Sequence, residues 1–166
     1  VSPFILIAIA IGIIALSLGA SNMIAGDTNS AWLRTLVLAY SRKTGVPASL
    51  IYGVVMQESR GNPRAQNPSD PSTGLMGIMP LIGRAYANLT GTDAEVLEKL
   101  FDPDANMTAG TNFLAHLQTR YASKYDFQVW VQAYNLGETK FDKGTRVPAY
   151  GAGVAQFATQ WSMPTL

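Results

Sequence analysis

Glu58 is the residue whose type and position first suggest chemistry. It closes a stretch in which Leu50, Ile51, Val54 and Val55 recur at helical spacing and define a buried stripe. Glu58 continues that stripe by one further turn, where a carboxylate is out of place. Burial disfavours the charged form, so the spacing predicts a carboxyl whose pKa lies above the ordinary value of about 4.3. A carboxylic acid still protonated near neutral pH can act as the general acid in breaking a glycosidic bond. The competing reading is a glutamate in a last helical turn that faces solvent, and spacing alone leaves both open.

Other chemistries find little support. His116 is the only histidine, which leaves a Ser-His-Asp triad or a histidine metal site without its partners. Asp102, Asp104 and Asn106 imitate the opening of a calcium loop, but Met107 stands where glycine is needed and Phe113 where the closing glutamate belongs. These three read as helix capping. Cysteine is absent, which removes disulfides and thiol chemistry. No phosphate loop or dinucleotide fingerprint occurs, so no cofactor and no metal is called for. A net charge of +1 with both signs scattered argues against nucleic acid as a partner.

The elements that must position Glu58 are helical almost throughout. Ala31 to Lys43 reads as a helix stopped by Thr44-Gly45, and Pro47 opens the helix that carries Glu58. Asn62 to Gly74 is rich in Pro, Ser, Asn and Gly and reads as a loop. Asp102-Pro103 has the form of an N-cap followed by proline at N1, ahead of a stripe of Met107, Leu114, Leu117 and Tyr121. A helix is expected over Phe127 to Tyr134, ending at Asn135-Leu136-Gly137. Gly144 to Gly153 reads as turns, and Val154 to Trp161 as a last short helix. The fold class expected is mainly α, with a small β-hairpin near the polar loop.

The front of the chain is different in kind. Phe4 to Ala20 is a nearly unbroken apolar run, and the first charge is Asp27. Counted to Ala25 the run would reach about 33 Å as a helix, enough to cross a hydrocarbon layer. The division expected is therefore a membrane anchor over 1–26, inserted in the lipid bilayer through residues 4–25, and a catalytic domain over 27–166. An uncleaved signal segment and a buried core helix are the alternatives.

Four segments, in order and suitably spaced, resemble the lytic transglycosylase family with the lysozyme-like (goose-type) fold. Glu58-Ser59 with Gly61-Asn62-Pro63 and Ala65 resembles its catalytic motif. Ser72-Thr73-Gly74-Leu75-Met76-Gly77-Ile78-Met79-Pro80 is similar to its substrate-groove motif. Leu100-Phe101-Asp102-Pro103, with Asn106 and Gly110, matches the start of its long buried helix. Ala133-Tyr134-Asn135-Leu136-Gly137, with Tyr150 and Val154, resembles its third motif. The resemblance runs from about Ala31 to about Val154.

The resemblance implies an α+β lysozyme-like fold and an enzyme acting on the glycan strands of bacterial peptidoglycan. Glu58 would protonate the oxygen linking N-acetylmuramic acid to N-acetylglucosamine. The substrate's acetamido group would stabilise the cationic centre. Glu58, now a base, would take the C6 hydroxyl proton, and ring closure would leave a 1,6-anhydro sugar. Ser59, Ser72, Gly74, Leu75, Met76, Tyr134, Asn135 and Tyr150 would serve substrate binding. Helix-end capping by Ser59 and Asn135 and core packing by Tyr134 are the plainer alternatives. Two positions depart from the family pattern: Gly77 replaces the usual Gln, and Leu81 the usual Thr or Ser. The lost amide implies weaker binding by about 1 kcal/mol, which Gly77→Gln should restore.

A hydrolytic muramidase of the same fold is the nearest alternative, with Asp70 as the second carboxylate it would use. A catalytically decayed, membrane-tethered peptidoglycan-binding protein is another. The substrate class places the domain on the periplasmic face as a single-pass protein. It suits a bacterial envelope, an envelope-spanning apparatus or a phage virion equally. Removing the residues before Asp27 should yield a folded, active protein that no longer associates with membranes, as measured by fractionation and circular dichroism. Misfolding of the truncated protein would show that the front segment packs on the domain.

Overall fold

A computed structural model describes residues 31–161 of the chain. Two compact units divide it, Val1–Leu36 and Val37–Leu166. Of the first, only the start of a helix over 31–44 (α1) is described. The expected anchor lies outside the described residues. Among the described residues no helix is long and apolar enough to cross a membrane.

The second unit is built around helix α5 (Pro103–Tyr121). Asp102 caps it, its side chain accepting from the Ala105 amide at 2.9 Å, and Pro103 opens the first turn. Met107, Leu114 and Leu117 are fully buried and Tyr121 nearly so, as the stripe predicts. Neither of the other two expected caps makes a capping bond. Asp104 accepts from the Tyr40 hydroxyl of α1 at 3.1 Å. Asn106 is no cap: it is fully buried and bonds a loop from another part of the chain.

Helix α2 (Ala48–Ser59) follows Pro47, which stands just outside it, and ends at Arg60 in the left-handed region. It then meets the polar loop, where the expected hairpin is reduced to single antiparallel bridges, Gln66 to Thr73 and Thr73 to Ile78. Thr73 and Ile78 exchange backbone hydrogen bonds at 3.1 and 2.9 Å, enclosing the turn Gly74-Leu75-Met76-Gly77. Leu75 and Met76 are driven fully into the core. Burying side chains of this size contributes about 2 kcal/mol each. Two short helices that the pattern did not resolve follow, α3 (Pro80–Ala87) and α4 (Asp93–Lys99). Proline opens α3, and a Thr92–Glu95 capping box opens α4.

The C-terminal third departs from expectation in two ways. The helix expected over Phe127 to Tyr134 is broken at Val131 into α6 (Phe127–Trp130) and α7 (Gln132–Leu136), followed by α8 (Glu138–Asp142). The last helix, α9, spans Pro148–Ala158 and so begins well before Val154. Its glycines serve close approach. A side chain at Gly151 would strike the Gln128 carbonyl of α6, and one at Gly53 of α2 would lie 2.6 Å from the Val154 carbonyl. Without Cβ atoms there, α9 packs closely on both α2 and α6.

Asn106 is the polar tie on which this arrangement turns. Its Oδ1 accepts from the Met76 amide at 2.8 Å, and its Nδ2 donates to the Thr73 and Leu100 carbonyls at 2.8 and 2.9 Å. Asn106→Ala would leave the buried Met76 amide and Leu100 carbonyl unpaired and take one of two hydrogen bonds from the Thr73 carbonyl, which keeps that of the Ile78 amide; we expect it to lower stability by about 3 kcal/mol in chemical denaturation. A loss below about 1 kcal/mol would show that other contacts hold the turn.

Candidate active site

Three elements converge on Glu58. It occupies the last full turn of α2, beside Val54 and Val55, which are wholly buried. From α9, the Tyr150 hydroxyl donates to Glu58 Oε1 at 2.6 Å. From the turn after Thr73, Gly77 lies so close that a Cβ there would sit 2.5 Å from Glu58 Oε2. One carboxylate oxygen is thus held by a hydroxyl, and the other faces bare backbone.

Burial pushes the Glu58 carboxyl up from 4.5 to about 7; the Tyr150 bond opposes this, and the negative charge of Asp70 adds to it. Tyr150 and Tyr134 are themselves raised well above the ordinary tyrosine value, first by burial and then by Glu58. Both therefore remain hydroxyl donors over any physiological pH. Tyr134 uses its hydroxyl to donate to the Met76 carbonyl at 2.8 Å, pinning the turn that carries Gly77. Its ring packs on Phe113 of α5 at 5.2 Å between centroids.

Glu58 opens onto two clefts. One, of about 270 Å³, runs past Met79, Leu81 and Ile82 to Tyr134 and Asn135. The other, of about 200 Å³, is walled by Ala65, Gln66 and Gly74. Ser72 and Gly77 line both, as does Asn67. Asp70 lies in the first cleft, its carboxylate accepting from Asn67 Nδ2 at 2.8 Å and from the Ser72 amide at 2.9 Å. No group of acidic, histidine or cysteine side chains that could hold a metal ion occurs among the described residues.

The structure brings together Glu58, Ser72, Gly74, Tyr134, Asn135 and Tyr150. Three other sequence candidates stand apart. Ser59 turns back into its own helix end, its hydroxyl donating to the Val55 carbonyl at 3.1 Å and accepting from the Gly61 amide at 3.1 Å. Leu75 and Met76 are fully buried, and line neither cleft. Sequence reasoning passed over Asn67, Met79 and Phe113 as cleft residues, and Asn106 as the support beneath them. Asn106 carried a signal: it shares a helical face with Gly110 and Leu117, which marks it as buried. His116, at the surface, lies 3.0 Å from Glu138 Oε1 and against the Tyr86 ring.

Gly77 requires a correction. Its φ is +59°, a region that disfavours any side chain, and the space where a Cβ would go is filled by the Glu58 carboxylate. The gain in binding expected of Gly77→Gln is therefore reversed, since the added side chain would displace the acid itself.

Short helices gathered on one long central helix, with a single half-buried acid at the floor of a cleft, define a domain of the lysozyme-like class. A crystal structure of an inactive mutant of the lytic transglycosylase Slt from Pseudomonas aeruginosa has the same fold. It superposes with a TM-score of 0.56 at 20% identity, over 76% of this chain and 21% of that one. The Transglycosylase SLT domain family matches residues 35–151, and the chain belongs to that family. Among curated relatives, the membrane-bound lytic murein transglycosylase C of Mannheimia succiniciproducens is 36% identical over 89 residues, which is 52% of this chain and 25% of the relative. The membrane-bound lytic murein transglycosylase E of Buchnera aphidicola is 32% identical over 90 residues, or 53% and 40% respectively. The chain thus covers well under half the length of either relative.

The raised pKa of Glu58 has a consequence for stability. The folded chain holds this proton more tightly than the unfolded chain, so the contribution is complete below about pH 4.5. It is lost as pH rises through about 7. The shift corresponds to roughly 3 kcal/mol. Glu58→Gln should therefore remove this fall and leave the variant more stable than the wild type above pH 7, as read from thermal midpoints against pH. Parallel midpoint curves for the two proteins would show that Glu58 is not buried as its carboxylic acid.

Proposed function

We propose that this domain is a peptidoglycan lytic transglycosylase in which Glu58 acts first as acid and then as base. The observation that carries the reading is the setting of Glu58: one carboxyl, pushed up to about 7 by burial, fixed by the Tyr150 hydroxyl and open to a cleft. Family membership and the lytic murein transglycosylase names of the relatives support it.

The steps follow from one carboxyl in two protonation states. The protonated acid donates to the glycosidic oxygen of the MurNAc-GlcNAc bond. The resulting carboxylate is met by Tyr150, whose hydrogen bond favours the charged form. It then accepts the proton of the substrate's own C6 hydroxyl, and ring closure gives the 1,6-anhydro product without water. Ser72, Tyr134 and Asn135 would contact the sugars along the cleft. The segment 4–25 would anchor the domain at the outer face of a cytoplasmic membrane, in keeping with the membrane-bound names of the relatives.

One observation favours a second reading, hydrolysis with Asp70 as the second carboxylate. Asp70 lies in the same cleft and its charge reaches Glu58. Against it, Asp70 is oriented by Asn67 and Ser72 as part of its own turn. Two variants separate the readings, assayed on purified murein with mass spectrometry of the fragments. Glu58→Gln should lose at least about 100-fold in rate while remaining folded. Asp70→Asn should stay within about tenfold of wild type and still release anhydro ends, because no second carboxylate is needed. Reducing ends in the wild-type digest, together with an inactive Asp70→Asn, would establish the hydrolase instead.

A further inference from the structure

Arg146 is half-buried in the loop that leads into α9, and it lines neither of the clefts at Glu58. Its Nη1 donates to the Phe141 carbonyl at 2.7 Å and to the Thr145 carbonyl at 2.8 Å. The guanidinium also lies over two rings, 3.9 Å from the centroid of Phe141 and 5.5 Å from that of Tyr125. No carboxylate pairs with it among the described residues, whereas Arg84 and Arg120 each have one. Carbonyls and rings fix the position of the charge without neutralising it. A guanidinium carries five N–H donors, so the bonds at Nη1 leave those of Nη2 and Nε without a protein partner among the described residues.

Arg146 faces a cavity of about 340 Å³ that it lines with Gln128, Val129, Gln132 and Pro148. Gln132 is buried and spends its amide on the frame: Nε2 donates to the Gln128 carbonyl at 2.9 Å, and Oε1 accepts from the Val147 amide at 2.7 Å. Gln128 is exposed, and its side-chain amide makes no hydrogen bond among the described residues. The cavity thus presents one uncompensated cation, one free amide and two apolar side chains, Val129 and Pro148. Pro148 opens α9, and Tyr150 in the same turn donates to Glu58 at 2.6 Å.

We propose that this cavity is a carboxylate subsite that takes the peptide stem of the substrate strand. The inference rests on the lytic reading above and adds what hangs from the sugars. The sugars of a stem-bearing strand are uncharged, and its free carboxylates belong to the peptides. A planar carboxylate matches the neighbouring donors on Nη2 and Nε of one guanidinium, and the Gln128 amide adds a third. A small aliphatic residue such as alanine suits Val129 and Pro148. The cavity lies one helical turn from the residue that holds the acid, and an extended peptide of four residues spans about 14 Å.

The first arm of the test needs no catalysis. Peptide stems released from murein by an amidase are titrated into the full chain and followed by calorimetry. Binding should weaken at least about fivefold in Arg146→Gln and in Gln128→Glu. The second variant sets a negative charge in the cavity and keeps the carbonyl bonds of Arg146 intact. Stems whose carboxylates have been amidated should bind as weakly to the wild type. The second arm compares release of anhydro ends from stem-bearing and amidase-treated strands. The wild type is expected to favour stem-bearing strands through KM at equal kcat, and Gln128→Glu to lose that preference at an unchanged melting temperature. Equal binding of native and amidated stems, or a preference that survives Gln128→Glu, would overturn the proposal with the lytic activity intact. Stem binding that Gln128→Glu abolishes, without anhydro product from either strand, would instead fail the lytic reading and keep the carboxylate site.

Discussion

A carboxyl group at the end of an apolar helical stripe is an expensive thing to bury, and the surroundings of Glu58 follow from how that cost is met. In a low-dielectric setting the charged form is disfavoured unless it is hydrogen bonded. Tyr150 supplies one bond at 2.6 Å, but only because α9 lies directly on α2. That approach in turn needs backbone against backbone, which is why Gly53 of α2 faces Val154 of α9 without an intervening side chain, and Gly151 brings α9 equally close to Gln128 of α6. A single hydrogen bond to the acid thus constrains residues in three helices.

The other side of the carboxyl is held by a loop, and loops require fixing from elsewhere. The 73–78 turn is fastened at three levels: its own Thr73–Ile78 bonds, the Asn106 side chain beneath Met76, and the Tyr134 hydroxyl on the Met76 carbonyl. Met76 is therefore bonded through both its amide and its carbonyl to side chains of α5 and α7. The two tyrosines at the site divide the work. Tyr150 touches the acid, and Tyr134 holds the strip of backbone against which the acid rests.

Much of this was legible in the sequence. The stripe in α2 drew attention to Glu58 while leaving a solvent-facing glutamate open, and Asp102-Pro103 located the start of α5, because capping and periodicity are local properties of the chain. The rest depended on contacts between distant segments. Gly151 and Gly153 read as turn residues by composition, yet they lie within α9, where close packing and not turning requires them. Val131 is not a breaker by type and keeps helical dihedral angles, so the interruption between α6 and α7 had no signal in the sequence. Asn106 followed Asp102 and Asp104 closely enough to be grouped with them as a cap, although its burial is the property that matters. The inference drawn at Gly77 failed for the same reason: sequence comparison identifies a missing amide, but only three-dimensional proximity identifies what occupies its place.

Gly77 and Leu81 depart from the family pattern within one short segment, and their effects are connected. Replacing an amide with glycine and a hydroxyl with leucine takes hydrogen-bonding groups off one wall of the cleft. Leu81 is 73% exposed and Met79 42%, so that wall presents apolar surface to solvent beside the acid. Large apolar side chains held in water at a cleft rim are stabilised when another apolar surface covers them. A pyranose ring offers such a surface on its C–H faces and an acetamido group in its methyl. The polar groups of the cleft, Asn67, Asp70, Ser72 and Asn135, belong to other segments of its lining. A glycan of the kind proposed above would be oriented in this cleft by apolar and polar segments of its lining, with its register set by the fixed position of Glu58.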